Sequence, residues 1–162
     1  MRRIIFGAML IAAIGAPKAH ATTLLPALTI TANIATTTST AVQLKDYGSP
    51  ENATVLCNFV YGSGGGTADA WVQTSFDGGA TWIDVAQCHF AVASLKQIYN
   101  LSSLTAVTTV YTPTDGTLSN STAKDGILGS KWRVKYSSTG TAYSGGTTLQ
   151  IDVNFGRSRS QP

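Results

Sequence analysis

The sequence predicts an all-β chain, an antiparallel β-sandwich or jelly-roll of about eight strands with an extended N-terminal arm. Three observations predict it. Only 12% of the 162 residues are charged while Thr, Ser and Gly abound, a composition that suits strands and turns better than helices. Apolar and polar residues alternate with period two in several runs. Gly-rich turn signals such as GSGGGT, DGGA and SSTGTAYSGG separate those runs. A chain of this length forms one domain and buries its core without a metal or a disulfide framework.

Residues 1–21 hold Arg2 and Arg3, an apolar run from Ile4 to Ala16, and a polar stretch ending Ala19-His20-Ala21. This is the layout of a secretory signal peptide cleaved after Ala21. The run is shorter than the ~20 residues of a membrane span, so no stable span is expected. A chain that keeps the segment would use it as an apolar arm buried against a neighbouring subunit. Residues 22–40 read as an extended arm and the first strand. Residues 22–27 and TTTST (36–40) are polar or turn-like, whereas ALTITANI sets Leu28, Ile30, Ala32 and Ile34 against Thr29, Thr31 and Asn33.

The sandwich proper spans 41–157. AVQLKDY alternates Val42 and Leu44 with Gln43 and Lys45, and ATVLCNFVY is apolar on both faces, as in a sheet interior. ADAWVQTSF, TWIDVAQCHF and LKQIYNLS supply further strands. The stretch from Thr112 to Ser130 lacks a strand pattern, and long ordered loops of this kind carry contacts to other molecules. KWRVKY sets Trp132, Val134 and Tyr136 against Arg133 and Lys135, and TLQIDVNF sets Leu149, Ile151, Val153 and Phe155 against Gln150, Asp152 and Asn154. Residues 158–162 are a tail.

The formal charge of +3 includes Arg2, Arg3 and Lys18, and without them the 11 basic residues become 8, equal to the 8 acidic ones. No Lys/Arg stripe tracks a phosphate backbone, which argues against nucleic acid as a partner; Arg157 and Arg159 belong to a solvated tail. Cys57 and Cys88 lack metal-site spacing, and both a disulfide and two buried thiols remain open. Cys88 and His89 are adjacent, so on a strand they face opposite sides and form no nucleophile–base pair. Asp77 and Asp84 lack the D-x-D-x-D-G loop of a calcium site. Neither a metal nor a cofactor is expected.

Residues 75–82, SFDGGATW, fit S-x-D-x-G-x-T-W through Ser75, Asp77, Gly79, Thr81 and Trp82. This resembles the Asp-box of bacterial sialidases and other β-propellers, where the boxes recur once per blade, away from the catalytic centre. Asp77 can accept hydrogen bonds from its own turn, the glycines can take positive φ, and Trp82 can pack over the turn. A single box in a chain too short for a propeller implies a structural hairpin, and no catalytic residues are assigned.

The run WVQTSFDGGATWIDVAQCHF, then YNLSSLTAVTTVYTPTDGTLSNSTAKDGILGSKWRVKY, then IDVNFGRSR is similar to small proteins encoded among the head and tail genes of tailed bacteriophages and prophages. The resemblance covers residues 25–157. It implies a non-enzymatic virion protein, first of all a capsid decoration or cement subunit, that binds copies of itself and other virion proteins as a homo-oligomer. A tail, connector or fibre-associated subunit is the alternative within the virion. Outside it, the leader favours a secreted bacterial carbohydrate-binding or adhesive module, exported to the periplasm or beyond. Trp71, with Asp115, Leu118, Ile127 and Leu128 of the long loop, is the candidate contact surface.

Overall fold

Period-two alternation sorts each strand into a core face and an outer face. The computed structural model describes residues 20–44 and 48–156, and its described residues form strands and no helix. In chain order these are β1 (His20–Thr29), β2 (Ile34–Thr38), β3 (Val42–Gln43), β4 (Asn52–Val60), β5 (Ser63–Gly64), β6 (Ala68–Ser75), β7 (Ile83–Phe90), β8 (Leu95–Ser102), β9 (Lys131–Ser138), β10 (Tyr143–Ser144) and β11 (Thr148–Gly156).

A first sheet runs β1-β11-β4-β8 and a second runs β2-β9-β6-β7, with β3 also on β9. All pairings are antiparallel. With the two-residue strands β3, β5 and β10 set aside, the long strands alternate between the sheets in the order of a jelly roll. Each sheet places its first strand beside its last, and only β6 and β7 form a simple hairpin.

The core lies between the sheets. From the first sheet come Val55, Cys57 and Phe59 of β4 and Leu149, Ile151 and Val153 of β11; from the second come Ala70 and Val72 of β6 with Trp132 and Val134 of β9. Three contacts join the layers within the core. Phe59 stacks on Phe90 with ring centroids 5.0 Å apart, Trp132 meets Phe155 edge-on at 4.9 Å, and Cys57 of β4 is disulfide-bonded to Cys88 of β7. Burying each of these large side chains stabilises the sandwich by about 1.5–3 kcal/mol.

At the end of β4 beyond Val60, β5 and β10 pair as a short ribbon. Gly64 is required there, because a Cβ at its φ of 74° would run into the Ala142 carbonyl.

Four elements differ from the sequence expectation. Residues 22–27 are no arm: they lie inside β1, paired with β11 from His20↔Phe155 to Thr29↔Thr148. Register shifts on either side of Leu25 turn Leu24 and Leu25 both into the core, so period two is lost there. ALTITANI is not one strand: it holds the end of β1, a crossing between sheets in which the Ile30 N–H donates to the Thr147 carbonyl, and the first residue of β2. Thr36, Thr37 and Thr38, read as turn, continue β2. Of the described part of AVQLKDY, residues 41–44, Val42–Gln43 forms a strand and Leu44 is buried beside it. Residues 45–47, the leader up to residue 19 and the tail from 157 lie outside the described residues. Among the described residues no helix is long and apolar enough to cross a membrane.

Candidate functional site

Ser75 closes β6 and Ile83 opens β7, so SFDGGATW connects a hairpin. The Asp77 carboxylate accepts from the Ser75 hydroxyl and the Thr81 N–H, both at 2.8 Å, and the Ser75 hydroxyl accepts from the Gly79 N–H at 2.9 Å. Gly78 and Gly79 take φ of 72° and 99°, values that suit glycine. The Thr81 N–H, then the Thr81 and Ser75 hydroxyls, hold the Asp77 carboxyl well below the usual carboxylate range. Trp82 is buried under the Arg133 guanidinium, 4.1 Å from its ring centroid, and Lys131 donates to the Gly78 carbonyl at 2.8 Å. Every residue of the motif is engaged in holding the turn.

Alternation, with a register shift in β7 between Asp84 and Ala86, also places Asp69, Trp71 and Gln73 of β6, Asp84, Gln87 and His89 of β7, and Arg133 and Lys135 of β9 on the outer face of the second sheet. These side chains are largely covered rather than solvated, because the long loop folds back over them. Asp84, fully buried, accepts from the backbone N–H groups of Gly116, Thr117 and Leu118 at 3.0–3.2 Å and from Gln73 Nε2 at 2.7 Å. Successive N–H groups converging on one oxygen pair form a nest for an anion, and here the chain's own carboxylate fills it.

Asp115, in the same loop segment, binds Gln73 Nε2 at 2.8 Å, Arg133 Nη2 at 3.1 Å and Lys135 Nζ at 3.2 Å. Burial opposes its ionisation, but the hydrogen bonds from Gln73 and Lys135 and the two nearby cations outweigh that and lower its pKa. Trp71 Nε1 donates to the Leu118 carbonyl at 3.1 Å.

The same loop closes the free edge of β7. Asp84 N–H donates to Thr114, Gln87 N–H to Thr122, and Lys124 N–H to the Val85 carbonyl. From β8, the Tyr99 hydroxyl and Gln97 Nε2 donate to the carbonyls of Gln87 and His89. An edge so filled cannot add a foreign strand.

Of the expected contact residues, the structure brings Trp71, Asp115 and Leu118 together as the pins of this loop. Ile127 is half-buried near its end. Leu128 is the one that changes character: at 2% exposure it belongs to the core, because the chain dives back between the sheets where the Gly129 N–H donates to the Thr74 hydroxyl. It has no surface to offer a partner. Asp84, Gln73 and Arg133 were not expected as parts of one network. Alternation on β6 and β9 gives Gln73 and Arg133, but the bulge in β7 sets Asp84 out of phase with Gln87 and His89, so the strand pattern does not bring the three together.

One acid–base pair stands apart. His89 Nδ1 lies 2.7 Å from Asp69 Oδ1, which also accepts from Gln87 Nε2 at 2.9 Å. Ser121, the one non-glycine residue with positive φ (53°) among the described residues, approaches this cluster. Its N–H donates to Gln87 Oε1, while its hydroxyl accepts from Gln97 Nε2 at 3.3 Å. That hydrogen bond ties the hydroxyl to Gln97, and the cluster works as a clamp on the loop. Among the described residues, no group of three or more His, Cys, Asp or Glu side chains converges as metal ligands would.

No family model matches the chain, and no curated protein or solved structure matches it. What can be said of function rests on the residues and their arrangement.

Proposed function

We propose that the protein is a structural subunit of a tailed-phage virion, a capsid decoration or cement protein that acts through contacts with copies of itself and with other virion proteins. The observation that carries this role is the surface: Ile98, Leu104 and Val110 are 65%, 77% and 95% exposed, whereas the polar outer face of the second sheet is covered by the chain's own loop. A shell-bound subunit covers such side chains with its neighbours. The jelly roll adds support by analogy alone, since viral capsid domains and lectin domains both use it.

A second role, an exported carbohydrate-binding or adhesive module, is favoured by the Cys57–Cys88 disulfide, since such bonds persist in oxidising surroundings. Virion surfaces are also oxidising, so the bond is compatible with both roles. Intact mass and N-terminal sequencing of the chain from its natural source separate them. The virion role expects many copies on purified particles, and particles lacking the chain that release their genome at lower temperature. A chain beginning at Thr22 in the secreted fraction and missing from particles overturns it. Gold-labelled antibody on the tail instead of the shell moves the subunit to the tail.

A further inference from the structure

The sheet edges of this jelly roll are not alike. β7 is covered by the long loop, β1 carries Pro26 and register shifts on both sides of Leu25, and β2 is five residues long and shifts register between Ile34 and Thr37. All three are devices that blunt an edge. β8 has none of them: it is eight residues long and pairs with β4 from Phe59↔Leu95 to Asn52↔Ser102 without a shift.

Which of its backbone groups are free follows from its end. The Ser103 N–H donates to Glu51, on the β4 side, whereas the Ser102 N–H goes to the Asp125 carboxylate and the Ser102 carbonyl accepts from Gly126. Antiparallel pairing turns every second residue to the same side. The N–H and C=O groups of Asn100, Ile98 and Lys96 therefore point out of the free edge, and among the described residues no hydrogen bond reaches them. Beside the exposed Lys96 and Asn100, three apolar side chains stand open at this edge: Ile98, Leu95 at 49% and, in the preceding turn, Val92 at 58%.

We propose that β8 pairs antiparallel with β8 of a second copy about a two-fold axis through Ile98, joining two first sheets into one continuous sheet. The strand LKQIYNL is self-complementary in that register. Ile98 faces Ile98 of the second copy, Lys96 falls opposite Asn100, and Gln97 opposite Tyr99, so no like charges meet across the junction. Leu56, the β4 partner of Ile98, extends the apolar row on the outer face of each copy. The two-fold makes the contact isologous and closed, which limits it to a dimer. The pairing stands or falls independently of the virion role.

Sedimentation of the full-length chain, alone and as Ile98→Lys and Ile98→Pro, tests it. Lysine sets two positive charges face to face, and proline removes an N–H that points away from β4, so neither disturbs the native ladder. The wild type is expected as a dimer, with slow amide exchange at Lys96, Ile98 and Asn100. Both variants weaken self-association by roughly tenfold or more at unchanged circular dichroism. A monomeric wild type, a dimer whose three amides exchange freely, or an oligomer that survives both substitutions overturns the proposal. So does protection of these amides only when purified capsid is added, which gives the edge to another chain.

Discussion

Asp84 is the side chain on which the long loop closes. Asp84→Ala removes the acceptor of three backbone N–H groups and of Gln73, and leaving such donors unsatisfied costs about 3 kcal/mol. Urea unfolding is expected to show that loss, and a wild-type midpoint would mean that water replaces the carboxylate freely. Asp77 and Asp115 set the acid limit. Both carboxyls lie below the usual value in the folded chain, so their contribution is complete above the unfolded pKa and fades as pH falls through the folded values. The thermal midpoint is expected to stay flat from neutrality to about pH 4 and fall below it. Asp77→Asn should make that fall shallower, and an unchanged slope would show that the turn does not contribute to it.

Among the elements, the loop from Thr112 to Ser130 has the most to reveal. It is an added edge for β7 as much as a connection, and Trp71 pins it through one hydrogen bond to Leu118. Trp71→Phe is expected to cost about 1 kcal/mol and to speed amide exchange at Gly116 and Thr117, read by hydrogen exchange, with β4 and β11 unaffected. The sequence made β9 and β11 legible because their alternation is unbroken, and it made the turn at Asp77 legible because its partners are four residues away or fewer. β1 was missed because a bulge and Pro26 interrupt period two, and β2 because threonine is polar enough to look like turn and β-branched enough to be strand. The loop's role was hidden for another reason: Asp84 is satisfied by backbone groups more than thirty residues away, and backbone groups leave no mark in a sequence. Leu128 lies at the end of a surface loop, but its own apolar character points inward.

For the whole molecule, the disulfide is the strongest single tie between the layers. Cys57 and Cys88 are 31 residues apart, and closing a loop of that length lowers unfolded-chain entropy by an amount worth roughly 3–4 kcal/mol. Unfolding with and without reductant should differ by about that much, and equal midpoints would show that the packing of Phe59 on Phe90 suffices alone.

A jelly roll also gives the molecule a direction. Because the first and last long strands are neighbours, His20 sits beside Phe155 and Gly156 beside Asn52, while the β5–β10 ribbon occupies the far end of β4. A peptide grafted after Gly156 and one inserted between Gly145 and Gly146 would leave from opposite poles, about 30 Å apart along a nine-residue strand. The fold is thus a rigid spacer with two addressable ends, independent of what occupies its edges.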